Sequence, residues 1–289
     1  MEISKLLDRT PRQIYHYLQR RISQSRQREE FPDNHLSMFV LSTGRVGTQT
    51  LSALFQLKDN VFVYHEPKPN LYALSKLAYK YSGQLLQYEE VWQEAFMTAR
   101  KDIINHSLNC NKGYIETSPQ TTFLAPVILQ VIPKVRFIHV VRDPRFVVRS
   151  GMRRKWYEGH PADRTRIVPH SESEAGHKWE TYTPLKKNIW LWAETNRWIM
   201  EFLSTLPNEQ KMTIHSEDIF SAEKETIEKI FSFVSESVPS KNKILGVVNK
   251  RLNAQKRGDF PKPDKWTEAM NIELKAVAGE TAKALGYRL

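Results

Sequence analysis

Two short segments carry residues whose types and spacing suit the binding of anions. The first, STGRVGTQT at 42–50, contains Gly44 and Gly47, which allow tight backbone turns, with Arg45 between them. An apolar run precedes this segment and a helical pattern follows it, so backbone N–H groups and the positive helix end would face an anion. Thr48 would add a hydroxyl group from the first helical turn. We predict a phosphate-binding loop here; an ordinary turn before a helix is the alternative.

This loop departs from the nucleotide-hydrolysing pattern G-x-x-x-x-G-K-[ST], in which lysine contacts the outer phosphates and a hydroxyl holds magnesium. Gly44 and Gly47 are closer together than that pattern requires, and no Lys-Ser/Thr pair follows them. The nine histidines of the chain show no metal-ligand spacing. The sequence therefore predicts phosphate binding without a metal and disfavours a kinase-like enzyme, which stays an alternative.

The second segment is VVRDPRFVVRSGMRR at 140–154. Arg142 stands where an apolar run ends, Pro144 suits the first position of a helix, and Ser150 follows two turns later. Arg142 and Ser150 could bind one anion from two directions, whereas pairing of Arg142 with Asp143 or a neighbouring acid is the alternative. The basic residues behind them extend this site or face solvent: Arg149, Arg153, Arg154 and Lys155.

Both segments must be positioned by the elements around them, and short apolar runs alternate with helical patterns from residue 36 onward. The predicted strands are 36–42, 61–65, 112–117, 135–141 and 211–216. The predicted helices include 48–57, 121–132, 184–205, 222–236 and 264–285, with others up to residue 106 and after 144. This alternation is typical of a parallel sheet covered on both faces. We predict an α/β fold of three layers, with a central parallel β-sheet flanked by helices.

Composition sets broad limits on the function. The 43 basic and 32 acidic residues give a net charge of +11, which would attract polyanions but leaves their kind open. The lone Cys110 cannot form an internal disulfide, and no apolar run reaches the roughly 20 residues that span a bilayer. We expect a cytoplasmic protein without stable membrane insertion. Residues 1–35 are predicted to be a basic helical N-terminal appendage to the main domain, 36–289.

In combination, the two segments resemble the motifs of sulfotransferases that use 3′-phosphoadenosine 5′-phosphosulfate (PAPS). STGRVGTQTL is similar to the 5′-phosphosulfate loop of that family, and FIHVVRDPRFVVRS to its 3′-phosphate motif, including the interval from arginine to serine. VFVYHEP resembles a segment of the carbohydrate sulfotransferase branch, and HSEDI and KALGY resemble later family segments. The resemblance covers 36–289 and implies a P-loop-type three-layer fold.

The resemblance also implies roles for matched residues. Arg45 would hold the bridging and sulfuryl oxygens, and Arg142 with Ser150 would bind the 3′-phosphate. Gln49 stands where the family commonly has a hydroxyl residue, so one side-chain contact to phosphate is in question. The backbone around the 5′-phosphate would be that of Val46, Gly47 and Thr48. A late Arg-Lys-Gly loop of the family is matched loosely by Lys256, Arg257 and Gly258.

Two neighbouring residues, His65 and Glu66, are candidates for the catalytic base. Both follow the second predicted strand, and because side chains alternate along a strand we expect only one of them to face the cleft. The resemblance favours Glu66, since the glutamate of Tyr-Glu-Pro is the proposed base of the carbohydrate branch. Histidine as a residue type is better suited to proton transfer near neutral pH. Both remain candidates.

The reaction implied is in-line, metal-independent transfer of the sulfuryl group from PAPS, leaving 3′-phosphoadenosine 5′-phosphate (PAP). The acceptor would be a hydroxyl group, or alternatively an amine or amide nitrogen, of a small molecule such as a natural product or of a carbohydrate. Residues 156–183 lack a clear period and are predicted to be a flexible lid on the acceptor side. We expect no nucleic-acid partner. The alternatives are a kinase-like enzyme, a sulfotransferase scaffold without activity, and a non-catalytic protein that binds nucleotides or nucleic acid.

Overall fold

The computed structural model describes residues 35–132, 134–250 and 258–289. Apart from His35, the predicted appendage 1–35 lies outside the described residues, as do Lys256 and Arg257. Five strands form one sheet: β1 (Ser37–Leu41), β2 (Val61–Tyr64), β3 (Gly113–Glu116), β4 (Arg136–Val141) and β5 (Lys211–His215). All neighbouring strands run parallel, in the order β2-β3-β1-β4-β5. The predicted α/β fold with a central parallel sheet is confirmed.

Eleven α-helices accompany the sheet in the described part of the chain. They are α1 (Thr48–Phe55), α2 (Tyr72–Lys80), α3 (Glu89–Asn109), α4 (Ala125–Val131), α5 (Pro144–Met152), α6 (Glu174–Lys178), α7 (Pro184–Ser204), α8 (Ser216–Phe220), α9 (Lys224–Phe233), α10 (Lys241–Val248) and α11 (Glu268–Ala284). Two 3-10 turns matter for the site, Pro119–Leu124 and Pro161–Thr165. None of these described helices is both long and apolar enough to cross a membrane.

The central strand shows why the apolar runs are continuous rather than alternating. Every residue of β1 is buried. Met38 and Val40 pack into one hydrophobic cluster, together with residues of α1 and α9. Phe39 and Leu41 point to the other face and pack with residues of α3 and α4. A parallel sheet covered on both faces has no solvent side, so both sets of side chains must be apolar.

The strand order decides which loops meet. β1 and β4 are neighbours at the centre of the sheet, with Val40 opposite Ile138 and Leu41 opposite His139. Neighbouring parallel strands lie roughly 5 Å apart. The loop after β1 and the segment after β4 therefore leave the sheet side by side at its carboxyl edge. Both predicted anion-binding segments begin at this edge.

Several predicted boundaries differ from the structure. The predicted helix 121–132 is a 3-10 turn followed by α4, which begins just before Pro126, a residue suited to a first helical turn. α10 was not predicted; it is a helix of eight residues in a stretch that the sequence analysis did not assign, and Ile244 and Val247 are its buried residues. The segment 156–183 contains α6 and the turn Pro161–Thr165 and buries Trp156, Ile167 and Trp179. Its movement as a lid stays a prediction.

Candidate functional site

A cavity of about 810 Å³ opens at the carboxyl edge of the sheet. Ligands of parallel α/β sheets characteristically bind at this edge. Residues following β1, β2 and β4 line the cavity, and most of the predicted site residues are among them: Arg45, Gly47, Thr48, Gln49, His65, Glu66, Arg142 and Ser150. The side chain of Val46 is buried behind the loop. Residues far apart in sequence are thus brought into one concave site.

The loop after β1 has a backbone that few residues adopt. Gly44, Arg45 and Gly47 all have positive φ values, 75°, 62° and 90°. Such a conformation costs a residue with a side chain about 1–2 kcal/mol, so Arg45 is held there by its surroundings. A Cβ atom at Gly47 would lie 2.7 Å from the tip of the Phe220 ring, so that ring would have to move. The Ser216 hydroxyl contacts the carbonyl oxygens of Val46 and of the last β4 residue and ties the loop to β4.

The start of helix α1 is arranged to receive an anion. Gly47 is its N-cap, and no side chain of the described residues caps the helix. Its first turn contains no acidic residue, and Thr48, Gln49 and Thr50 all line the cavity. Uncapped N–H groups at a helix start bind anions, and the helix dipole favours negative charge there. The start of α1 therefore offers uncapped N–H groups to the cavity, and phosphate binding by this loop stays a prediction.

The two predicted anion segments touch each other. Nη1 of Arg142 donates to the Arg45 carbonyl oxygen at 3.2 Å, and Nε of Arg45 donates to the Ser150 hydroxyl at 3.2 Å. Asp143 does not provide the alternative partner, because its carboxylate binds Arg145 at 2.6 Å and caps α5. The Arg142 carbonyl oxygen accepts a bond from the Trp192 indole. Arg142 lines the cavity, and a neighbouring acid, Glu217, is close enough to act on its charge.

Burial makes these guanidinium groups strong anion ligands. Desolvation lowers the pKa of Arg45, and the positive charge of Arg142 lowers it further. Desolvation also lowers the pKa of Arg142, although Glu217 and Asp143 act in the opposite sense. A poorly hydrated cation next to another cation gains more from an anionic ligand than one in water does. Both arginines remain charged, since arginine does not lose its proton in proteins.

Two aromatic rings flank the Arg142 guanidinium. It lies 5.1 Å from the Phe146 ring centre and 5.2 Å from that of Phe220. Both rings line the cavity, and 43% and 37% of these two residues is exposed. Exposed aromatic faces beside a cation site suit a ligand that combines a planar ring with an anionic group.

His65 and Glu66 both line the cavity, so the expectation that only one would face it is wrong. β2 ends at Tyr64, and Glu66 has a positive φ of 48°, which breaks the alternation of side chains along a strand. Nδ1 of His65 lies 2.7 Å from the Thr117 carbonyl oxygen. Because a carbonyl oxygen only accepts, Nδ1 carries the hydrogen and Nε2 of the neutral ring is an acceptor.

Glu66 has a different neighbour, the hydroxyl group of Tyr72 at the start of α2. Burial raises the pKa of Tyr72 to about 12, and the charge of Glu66 and a hydrogen bond to it raise it as well. The loop between them is held by a buried ion pair, in which Arg100 Nε contacts Glu116 at 2.8 Å and Nη1 donates to the Pro69 carbonyl oxygen at 2.8 Å. Neither side chain of the pair is exposed. The loop that carries Glu66 is therefore tied to β3.

The late glycine of the predicted Arg-Lys-Gly loop contacts the basic run after α5. The Gly258 carbonyl oxygen accepts a hydrogen bond from Arg153 Nε at 2.8 Å, and Arg149 Nε donates to the Phe260 carbonyl oxygen. Gly258 has a φ of 81°, and a Cβ atom there would lie 2.1 Å from the Arg153 carbonyl oxygen. Arg149 and Arg153 thus hold the segment that begins at Gly258 against the edge of the cavity.

Some cavity residues were not predicted. Tyr72, Ser75 and Lys76 share one face of α2, and their spacing of three and four residues is a helical signal that could have grouped them. Arg166 and Thr195 have no local sequence signal, since only the tertiary structure brings them to the cavity. Within the described residues, no group of three or more histidine, cysteine, aspartate and glutamate side chains could hold a metal.

The sequence of this chain matches one known protein family. The sequence model of a family described as the sulfotransferase family matches residues 38–239. No curated protein sequence gives a significant match.

Three similar solved structures share the fold. The sulfotransferase domain from the curacin biosynthetic pathway is 18% identical, covers 88% of this chain and 99% of its own, and gives a TM-score of 0.52. The sulfotransferase domain of the Synechococcus olefin synthase is 15% identical, with 91% and 100% covered and a TM-score of 0.50. A sulfotransferase from Mycobacterium avium is 13% identical, with 96% and 82% covered and a TM-score of 0.53. At these identities the likeness concerns the fold alone.

Proposed function

The chain belongs to the sulfotransferase family, and we propose that it transfers the sulfuryl group of PAPS to a small-molecule or carbohydrate acceptor. One observation carries the choice of donor. Arg45 and Arg142 follow different strands, yet they contact each other in one cavity and Ser150 lies beside them. A donor with anionic groups at both its 5′ and 3′ positions would use both cations.

The donor would lie along the carboxyl edge of the sheet. Its 5′-phosphosulfate would meet the loop and the uncapped start of α1, and its 3′-phosphate would meet Arg142 and Ser150. The adenine ring would pack on the exposed faces of Phe146 and Phe220. Lys256 and Arg257 lie outside the described residues, and a contact from them to the 3′-phosphate stays a prediction.

The proposed chemistry needs charge stabilisation and a base. The acceptor oxygen or nitrogen attacks sulfur in line as the bond from sulfur to the 5′-phosphate oxygen breaks, and PAP departs with the negative charge. Arg45 would stabilise that charge from a fixed position, which is more effective in a partly desolvated site than in water. The proton of the acceptor would pass to His65 or Glu66. We favour His65, because its Nδ1–H bond to Thr117 leaves Nε2 as the basic nitrogen.

Calorimetric titration with PAP tests the donor half of this proposal. We expect PAP to bind more tightly than adenosine 5′-phosphate, which lacks the 3′-phosphate. Arg142→Ala should remove most of this difference, an effect of about tenfold or more for a charge-assisted contact. Lys155→Gln is the matched control, since Lys155 is exposed and does not line the cavity.

A screen for transfer tests the acceptor half. Metabolite extracts are incubated with isotopically labelled PAPS, and products that gain one sulfuryl group are identified by mass spectrometry. A chain that binds neither PAPS nor PAP would contradict the proposal. Magnesium-dependent binding of ATP would instead support a kinase-like enzyme, and binding of nucleic acid that weakens steeply with salt would support a non-catalytic protein.

A further inference from the structure

The cavity is lined by six cations that the donor contacts above do not use. Two of them, Arg149 and Arg153, hold the segment that begins at Gly258, and three others form a second group. They come from three separate elements: Lys76 from α2, Arg154 from the segment after α5, and Arg166 from the segment after the 3-10 turn Pro161–Thr165. We call them the acceptor-side cluster.

Arg166 is the most firmly placed of the three. Its guanidinium carbon lies 3.7 Å from the centre of the Trp156 ring, and its Nε donates to Asp163 at 2.9 Å. Only 14% of its side chain is exposed. Among the described residues, its two terminal amino groups donate to no protein atom. A guanidinium held against a ring, with Nε already bonded, presents these amino groups as a fork for an oxyanion.

The other two cations connect Arg166 to the donor site. Nζ of Lys76 donates to the Arg164 carbonyl oxygen at 2.9 Å, so α2 reaches the segment that carries Arg166. Nη1 of Arg154 donates to the Ser150 hydroxyl at 2.8 Å. Burial and the positive charges of Arg45, Arg153 and Arg166 together lower the pKa of Arg154 to about 10. Arg154 is therefore close enough to both Arg45 and Arg166 to interact with their charges.

The charge of the cavity exceeds what the proposed donor can neutralise. Eight arginine and lysine side chains line it, and Glu66 is the only carboxylate among its described lining residues. PAPS carries about four negative charges, counting about two for the phosphate ester and one each for the phosphoryl and sulfuryl groups. Asp163, which pairs with Arg166, takes up part of the positive charge that would remain beside the bound donor. An acceptor with an anionic group would balance the rest.

The rest of the lining suits the body of such an acceptor. Apolar side chains in the same cavity come from three segments: Phe123, Trp156, Ile167 and Leu191. Thr195, one helical turn after Leu191 on α7, is 2% exposed, and its hydroxyl oxygen has no hydrogen-bond partner among the described residues. A buried hydroxyl without a partner is costly and indicates that a bound molecule completes it.

We propose that the acceptor carries an oxyanion, a phosphate, sulfate or carboxylate, which binds to Lys76, Arg154 and Arg166 while its apolar part packs on the neighbouring wall. This proposal adds the chemical class of the acceptor to the proposed function. It rests on that function, because the bound molecule is an acceptor only if the protein transfers a sulfuryl group. The competing explanation is structural: Arg166 and Asp163 would only hold the segment 156–183, and Lys76 would only cap it.

Binding of phenyl phosphate to the protein saturated with PAP separates the two explanations. Phenyl phosphate combines an oxyanion with an apolar ring, and PAP prevents it from entering the donor site. We expect phenyl phosphate to bind in calorimetry at least about tenfold more tightly than benzyl alcohol, its uncharged counterpart. Phenyl sulfate and benzoate, titrated in the same way, show which oxyanion is preferred. Binding of phenyl phosphate no tighter than that of benzyl alcohol would overturn the proposal.

Two variants with matched controls locate the site. Arg166→Gln and Lys76→Gln should each weaken phenyl phosphate by about tenfold and leave PAP binding unchanged. Arg164→Gln and Lys80→Gln remove a charge from the same two segments at exposed positions outside the cavity, and they should bind phenyl phosphate as the wild type does. Equal effects of the cavity and control variants would support the structural explanation. If Arg166→Gln does not fold, Lys76→Gln, which changes a side chain on the outside of α2, still distinguishes the anion site from the structural explanation.

Failure of the proposed function has a different signature. If PAP does not bind, phenyl phosphate is titrated into the protein alone. If phenyl phosphate then binds more weakly to Arg166→Gln but not to Arg164→Gln, the anion site is supported and the PAPS-dependent reaction is not. If PAP binds but phenyl phosphate does not, the donor assignment stands and the anionic acceptor is refuted.

Discussion

Replacement of Gly47 by alanine tests whether the loop after β1 needs this backbone. Gly47 has a φ of 90°, and an added Cβ would lie 2.7 Å from the Phe220 ring. The left-handed conformation costs alanine about 1–2 kcal/mol. The clash is with the far end of the partly exposed Phe220 side chain, which can move aside, so it adds at most about 1 kcal/mol. We therefore expect Gly47→Ala to lower the free energy of unfolding by about 1–3 kcal/mol.

A second glycine separates the two contributions. Gly159 has a φ of 85°, but nothing lies within 4 Å of an added Cβ. Gly159→Ala should therefore show only the conformational cost, about 1–2 kcal/mol. The gain that alanine brings by restricting the unfolded chain is common to both variants and cancels in the comparison.

Denaturant unfolding and calorimetric titration with PAP measure the two effects. We expect Gly47→Ala to lose more stability than Gly159→Ala and also to bind PAP more weakly, because the displaced loop is the proposed phosphate site. In Gly47→Ala combined with Phe220→Ala, the steric part should be relieved and the conformational part should persist. Equal losses of stability in the two single variants, with PAP binding intact in both, would refute the assignment of a close-packed phosphate loop.

Two further predictions concern ionisable groups. With an acceptor found in the screen, His65→Gln should lower turnover by about 100-fold or more while PAP binding is retained. Glu66→Gln keeps a partner for the Tyr72 hydroxyl and should lower turnover less; the reverse order would identify Glu66 as the base. Burial lowers the pKa of His139 to about 4 against a partial rise from its hydrogen bond to Asn196. As the pH falls, His139 therefore takes up a proton in the unfolded chain before it does so in the folded chain. The contribution of His139 to the free energy of unfolding should be complete above about pH 6.5. It should be lost towards pH 4, by up to about 1.4 kcal/mol per pH unit. His139→Gln should flatten this part of the stability profile, and an unchanged slope would show that other groups cause it.

The anion-binding segments were predictable because their signals are local. Glycines at 44 and 47 with Arg45 between them indicate a tight loop, and Pro144 after Arg142 indicates the start of a helix. Local backbone preferences suffice for both conclusions. The apolar runs of the strands were equally informative, because burial on both faces of a parallel sheet leaves few polar positions in the pattern.

The face on which a side chain lies was not predictable where the backbone left the regular pattern. The alternation of a strand placed His65 and Glu66 on opposite faces, but the left-handed φ of Glu66 brings both to the cavity. That conformation depends on distant anchors, among them the bond from Arg100 to the Pro69 carbonyl oxygen and that from the Leu71 N–H to Gln120. No pattern within the loop itself reports these contacts.

The sequence alone determined which kinds of chemical group the chain offers: a glycine loop with Arg45, a second segment with Arg142 and Ser150, and strands to carry them. Tertiary structure decided that these groups meet. The order of the strands places β1 beside β4, so Arg45 and Arg142 touch although 97 positions separate them. It also brings Lys76 and Arg166 to the same cavity from segments that share no motif. Short-range backbone preferences depend on neighbouring residues, whereas contacts between distant side chains depend on the packing of the whole sheet and its helices.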